Sequence, residues 1–494
     1  MRLEPKEIPL GNGFYVSESL PVSHQLCQNL FPNYPESDAS SITQLFTRLG
    51  LKEILTTPGG EVSRGVRVMS GIPYFINGNT LWRLNRLVDS FSNETFTVDN
   101  LGTITGTGLV SLADSGTQLG IVVPGTNTAY MYSDSAGLVQ ITDSEFIPSP
   151  ATMVNSVVFI TGVFIFGADQ AIVFESDTND GLSYDAANFF IYGNAKNNIV
   201  GLHEYNEQLF VFSDINCAVY APTNLNELGA LFTKVKGYEF TKGLSSQFAI
   251  YDLGESFVMM GQGFNETPKI YQFTGNEFTP ISTTSIEQIL ERYTSEEIKK
   301  AFGFNYTFRG ETFAVFSMKN NTFKYCMKAT KMAGKKVWVE DRSENLANKD
   351  RWRVNGLVTA YDRLLCSDSE GGLIGELAEG ERTDYGNLIR YDFSLPPISS
   401  GTKEIFYRYF LLEVEAGLAT GDDELDVEMN YSDDGKVFPD NGWRTRGMGL
   451  KGEYQRILRW SNLGRSRTPR TFRFRMTKPG KYVIIRAWVG VDGN

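Results

Sequence analysis

The stretch VVFITGVFIFGADQAIVF (157–174) decides how this chain folds. Three apolar runs are separated by two tight turns, Thr161-Gly162 and Gly167-Ala168-Asp169. Runs this short, bounded by Gly, Asp and Asn, read as strands joined by hairpins. The layout returns in FNYTFRGETFAVFSMKNNTFKYC (304–326), with turns at Arg309-Gly310 and Asn320-Asn321. It returns again in GLVTAYDRLLCSDSEGGLIGEL (356–377), with turns at Asp362-Arg363 and Glu370-Gly371-Gly372. Similar units begin near Ile72 (with an Asn77-Gly78 turn), Leu109, Ile199 and Phe248. Short strands repeating roughly every 45–55 residues predict a β-propeller, here of six or seven blades. One blade cannot bury its apolar face alone, so neighbours must pack around a ring.

Outward from the repeats, three regions differ. Residues 1–60 carry Pro21, Pro32, Pro35 and a Pro58-Gly59-Gly60 stop, which predicts an extended N-terminal arm over the body or a neighbouring subunit. Within the propeller (61–390), residues 284–302 have helical periodicity: Ile286, Ile289, Leu290 and Tyr293 share one face. Ser285/Gln288 and Thr294/Glu297 have capping-box spacing, so two short helices joined near Thr294 are expected, with Gly303 ending the second. An insertion between blades suggests docking, which makes Ile286, Ile289, Leu290 and Tyr293 candidate contact residues. After a Pro396-Pro397 linker the strands lengthen (406–415, 425–431, 471–476, 482–489), which predicts a C-terminal β-sandwich over 391–494. The fold class is mainly β.

Composition narrows the function. Aromatic residues make up 13 % of 494, suiting an all-β core. No apolar run reaches the ~18 residues that span a bilayer. The first residues, MRLEPKEIPLGNGF, lack the apolar core of a signal peptide, so synthesis in the cytoplasm and a soluble chain are expected. Cys27, Cys217, Cys326 and Cys366 are scattered, as buried free thiols would be. The two histidines, His24 and His203, are far apart, which argues against a zinc site or a Ser-His-Asp triad. Gly-x-Gly pairs at 11/13, 106/108 and 261/263 open no helix and read as turns. The acidic run 422–428 lacks EF-hand spacing, and Ser432–Phe438 misses the sialidase Asp-box because Gly435 falls one residue early. No catalytic, cofactor or metal set emerges.

Charge is uneven. Residues 443–486 hold 13 Lys and Arg against one acid, Glu453, within a chain of net charge −12. Two readings fit. One is a surface for an anionic partner, with Arg456, Arg459, Trp460, Arg465 and Arg467 as candidate subunit or adaptor contacts. The other is a salt-bridged sheet facing Asp422, Asp423, Glu424, Asp426 and Glu428. Along 471–476, Thr471, Arg473 and Arg475 share one face and Phe472, Phe474 and Met476 the other. Any DNA contact here would be to the backbone and salt-sensitive.

FTPISTTSIEQILERYTSEEI (278–298) resembles a segment of the packaged-DNA stabilisation, or tail-nozzle, proteins of short-tailed bacteriophages. VSRGV (62–66), GTGLVSL (106–112) and RILRWSNLGRSRTPRTFRFRM (456–476) resemble further family segments, in the same order. The resemblance implies a structural virion-tail protein in a homo-hexameric ring. That ring would extend the DNA exit channel below portal and adaptor and retain packaged genome until ejection. It would contact the adaptor ring, a tail needle or plug, and tailspikes or fibres, with double-stranded DNA passing non-specifically. The family brings no catalytic residues. The alternative is a propeller tail protein that binds or hydrolyses glycans, which would need converging carboxylates.

Overall fold

The computed structural model describes residues 5–11, 13–193, 198–223, 232–344, 349–401, 403–418 and 423–493. Seven antiparallel sheets follow one another as blades. Their innermost strands are Ser63–Met69, Ser111–Asp114, Val154–Ile160, Gly201–Tyr205, Ile250–Asp252 (beside Gly243–Leu244), Phe302–Phe308 and Val354–Ala360. Each inner strand touches the next, and the seventh touches the first, so the ring closes.

The first hairpin of five blades uses one device. Ser70-Gly71, Thr161-Gly162, Asn206-Glu207, Arg309-Gly310 and Tyr361-Asp362 are two-residue turns with φ positive at both positions. That backbone twist matches the flanking strands. In the seventh blade the turn is therefore Tyr361-Asp362, and Arg363 already begins the next strand. Aromatic side chains fill the spaces between blades. Phe146, Phe166, Phe174 and Tyr184 meet mostly edge to face behind the third blade, while Phe210, Phe257 and Phe273 do so between the fourth and fifth. Such pairs add about 0.5–1.5 kcal/mol each beyond the area they bury.

Six blades are built from consecutive chain, and the seventh is not. Its outer strand is Gly50–Thr56, paired with Leu373–Ala378 so that Leu51 lies opposite Leu377. The N-terminal segment is extended, but as strands woven into this chain's own sheets. Cys27–Gln28 sits between Trp338–Glu344 of the sixth blade and Tyr391–Ser394 of the C-terminal region, making one continuous sheet. Leu30–Asn33, Gln44–Thr47 and Lys6–Ile8 join the other C-terminal sheet, beside Val483–Gly493.

The C-terminal region is a two-sheet sandwich. One sheet holds Tyr391–Ser394, Thr471–Met476, Asp426–Ser432 and Arg444–Gly447; the other centres on Ile405–Val414 between Ile457–Ser461 and Val483–Gly493. Phe410, Leu412, Trp460, Phe472, Phe474 and Met476 are buried between them.

Where the seventh blade, the N-terminal segment and the sandwich meet lies a buried ionic joint. Arg48 donates to Asp384 at 2.6 and 2.9 Å, to Asn29 Oδ1 at 2.9 Å, and to the carbonyls of Leu49 and Arg342. All five guanidinium protons are thereby engaged. Burial alone would lower its pKa, but Asp384 holds it above the ordinary value. Nearby, Lys324 and Asp341 pair at 2.6 Å with both side chains fully buried.

The insertion forms α1 (Thr284–Leu290) and α2 (Ser295–Ile298). The Thr294/Glu297 capping box is present. The Ser285/Gln288 box is not: the α1 cap is Thr283, without a side-chain bond, and Ser285 Oγ instead accepts the Val16 amide. Gly303 does not end a helix. It lies in Phe302–Phe308, where a Cβ would meet the Tyr251 ring at 2.1 Å. A third helix, α3 (Met327–Ala333), ends at Gly334 with φ 64°. Glu311, on a neighbouring strand, caps it by accepting the Lys328 and Ala329 amides.

Candidate interaction surfaces

The basic segment folds against acids from other strands. Arg473 makes a two-pronged pair with Asp392, Arg475 bonds Glu428 at 2.7 Å, and Arg470 bonds Asp433 at 2.5 Å. Lys478 meets Asp426, Lys481 meets Glu415, Arg486 meets Glu413, and Arg456 meets Glu424 at 2.6 Å. Across residues 391–494 the sequence has sixteen Lys and Arg against fourteen Asp and Glu. The sandwich is therefore nearly neutral, and the whole of the net negative charge belongs to residues 1–390. Acids folded beside it account for much of the basic run, as in the salt-bridged reading, through Glu424, Asp426 and Glu428 of the acids named there; Asp422 lies outside the described residues.

The candidate residues separate by exposure. Trp460 is 0 % exposed; its Nε1 donates to the Arg444 carbonyl at 2.7 Å, and its ring packs on Phe410 and Phe474. It is core, since its position on Ile457–Ser461 alternates inward. Arg465 and Arg467 are 71 % and 78 % exposed in their side chains and share one acid, Glu404, at 3.4 and 3.5 Å. Arg456 is exposed. Arg459 is exposed, stacks 4.3 Å from the Tyr409 ring centre and has no carboxylate partner among the described residues. Arg444 and Arg446 hydrogen-bond to carbonyls of Ser461, Asn462 and Arg459, stitching the edges of the two sheets together.

The helix face points inward. Ile286 and Leu290 are fully buried with Met260, Ile270, Ala314 and Phe316 of the fifth and sixth blades. Ile289 and Tyr293 pack against the same cluster, and Tyr293 donates to Asn321 Oδ1 at 2.7 Å. The apolar face exists as the spacing predicts, and what covers it is this chain's own core. These four residues are not a free docking face.

Other surface features carry weak sequence signals. Phe91, 84 % exposed, tops a hairpin whose turn is held by Asp89 accepting the amides of Phe91 and Asn93. Phe264 and Tyr454 also stand exposed on loops. Around Phe91 the clue is an isolated aromatic in a Ser/Asn/Asp-rich turn, DSFSN (89–93). Both histidines are used locally: His24 Nδ1 lies 2.7 Å from the Gly435 carbonyl, and His203 Nε2 lies 3.0 Å from Asp252. All four cysteines are buried and free, with burial raising their pKa values. In the 432–438 turn, Asp434 accepts the Val437 amide, the Ser432 hydroxyl and the Lys436 amide, which lowers its pKa to about 2. Among the described residues no cluster of three or more His, Cys, Asp or Glu could hold a metal ion. No described helix is long and apolar enough to cross a membrane.

Comparison with known proteins places this architecture. The family model described as "Bacteriophage P22 Gp10, beta-propeller" matches residues 6–381, and "Bacteriophage P22 Gp10, beta-sandwich" matches 397–492. The chain belongs to the P22 Gp10 family. The resemblance to tail-nozzle proteins read from residues 278–298 and 456–476 is borne out, as is a propeller followed by a sandwich. Tail hub protein gp10 of Salmonella phage P22 is 20 % identical over 388 residues, covering 76 % of this chain and 79 % of that one. Membership makes this a structural component of a phage tail. Among solved structures, the WD40 propeller domain of Doa1 is 11 % identical with a TM-score of 0.39, covering 67 % of this chain and 97 % of that one. A computationally designed protein, Ika8, is 9 % identical with a TM-score of 0.36, covering 66 % and 100 %. Those two likenesses are too loose to carry an argument.

Proposed function

We propose that this chain is the repeating unit of a hexameric tail nozzle that extends the DNA exit channel below portal and adaptor and retains the packaged genome until ejection. The observation that carries the reading is the match of both family models, in order, over almost the whole chain.

The physical design agrees with a mechanical role. Sheets pack face to face at about 10 Å, so seven inner strands enclose a circle only about 22 Å across between strand centres, before side chains fill it. A hydrated duplex has no room there. The passage is therefore formed between copies, with each propeller a solid wall unit. Residues 1–390 hold 44 Asp and Glu against 30 Lys and Arg. An acidic wall repels the DNA backbone and lets it slide, where a strongly basic wall would hold it.

Adaptor, needle or plug, and tailspike or fibre proteins are the proposed partners, after synthesis in the host cytoplasm. Arg456, Arg459, Arg465 and Arg467 remain available for such contacts because their side chains are exposed. The test is to assemble particles without this protein. Particles should package DNA and then lose it, measured as nuclease-sensitive genome. Full retention of DNA in such particles would refute the retention role.

A further inference from the structure

Between Arg86 and Lys196 the chain has twelve Asp and Glu and no Lys, Arg or His. The acids nearest the first blade are neutralised by Arg67, Arg83, Arg86 and Arg363. Farther round, Asp143, Glu145, Asp177, Asp180 and Asp185 have no cationic partner among the described residues, and all but half-buried Asp143 are exposed. They gather on the outer rim of the third blade. Asp177 lies opposite Asp180 across the turn between that blade's third and fourth strands. Glu145 accepts the Ala186 amide at 3.3 Å, and the charges of Asp143 and Asp180 add to burial in raising the Tyr184 pKa. Like charges gathered this way repel one another, and a cationic partner relieves the repulsion.

The chain carries the complement on its sixth blade. There α3 joins the third and fourth strands, the corner equivalent to Asp177–Asp180. Lys331 and Lys335 are exposed on this corner without an acidic partner among the described residues, and Lys336 donates to the Ser282 carbonyl at 2.8 Å. Met332, 48 % exposed, and Ile42, 86 % exposed, line the groove beside Lys335 and give the charged patch an apolar centre, as interfaces have. The third and sixth blades stand three places apart in a ring of seven. Both corners therefore lie at the same height and point away from each other, so they can meet only between copies.

We propose that the acidic corner of the third blade of one copy docks on the α3 lysines of the next. The contact is head to tail, the kind that closes into a ring when its rotation fits. Corners at equal height let parallel copies meet without stepping along the propeller axis. The inference rests on the reading of this chain as a ring subunit and adds the surfaces by which the copies join.

Charge reversal in assembling particles tests it, with copies of this chain per particle as the readout. Asp177→Lys with Asp180→Lys sets like charges face to face and should cut incorporation about tenfold. Lys331→Glu with Lys335→Glu should do the same. All four substitutions in one chain rebuild the contact with reversed polarity, so incorporation should return to within about threefold of the unaltered chain. The four positions are exposed, and melting of each variant is recorded to show that it folds. A folded, acid-reversed chain incorporated in full number overturns the docking and leaves the ring standing. Loss with the lysine reversal alone, or no rescue by the fourfold variant, also overturns it and assigns α3 to a different anionic partner. Particles holding a single copy of the unaltered chain overturn the docking and the ring together.

Discussion

The third and seventh blades share their hairpin turns and four-strand layout, yet they close in opposite ways. The third runs Val154–Ile160, Val163–Ala168, Ile172–Asp177 and Asp180–Ile191 without leaving its own stretch of chain. The seventh borrows Gly50–Thr56 from near the N-terminus. A contiguous blade needs only local contacts, whereas the borrowed strand joins the two ends of the ring. The entropy of closing so long a loop grows only logarithmically with its length, so one well-packed strand offsets it. The same N-terminal segment then enters both sandwich sheets. One N-terminal segment thus completes the seventh blade and ties the propeller to the sandwich.

Removing residues 1–60 is the strongest way to break this contrast. The seventh blade would lose its outer strand and the sandwich its bridge to the sixth, so the intact chain should melt in one cooperative calorimetric transition and the truncated chain in more than one. A truncated chain that still melted in one sharp transition would show that the contiguous blades suffice.

Arg48→Ala comes next. It strands Asp384 at the buried joint, and breaking such a pair destabilises by about 3–5 kcal/mol. Urea unfolding should show that loss, and a shift below about 1 kcal/mol would mean that water reaches the joint.

Sharpening the contrast within the sandwich, Trp460→Ala should destabilise by about 3–5 kcal/mol through the cavity it leaves. Arg465→Ala, a few residues away but exposed, should stay within about 0.5 kcal/mol. Equal effects would contradict the division between core and surface in that segment.

The smallest effect concerns pH. Burial, the dominant influence, lowers the pKa of His24 below its ordinary 6.5, against the opposing contact with the Gly435 carbonyl. The unfolded chain then binds the proton more readily than the folded one. Stability from this group is present above pH 6.5 and falls as pH drops toward the folded value. Urea midpoints measured at about pH 7.5 and pH 5.5 should fall on acidification, less so in His24→Gln. A rise that depends on His24 would reverse the sign.

Much of this was legible in the sequence, for physical reasons. Strand alternation and positive-φ turn residues are local, so the blades could be read from 157–174 outward. Gly50–Thr56 (GLKEILT) could not be assigned, because nothing local says that a strand will pair with a segment over 300 residues away. The α1 periodicity revealed an apolar face but not what covers it, so Ile286 and Leu290 read as docking residues when they are core. Of the acids that meet the basic run, Glu424, Asp426 and Glu428 lie in the acidic stretch the sequence exposes, whereas Asp392, Glu404 and Glu413 are brought beside it only by folding. Helix α3 did leave a signal, the Ala, Lys and Met of MKATKMA before Gly334.

A reconstruction of the intact tail tests the central claim most directly. The account requires six copies around the tail axis, with DNA running between them and each propeller's own axis free of duplex. Density for DNA threading a propeller, or a chain found as a lone appendage away from the tail axis, would contradict it.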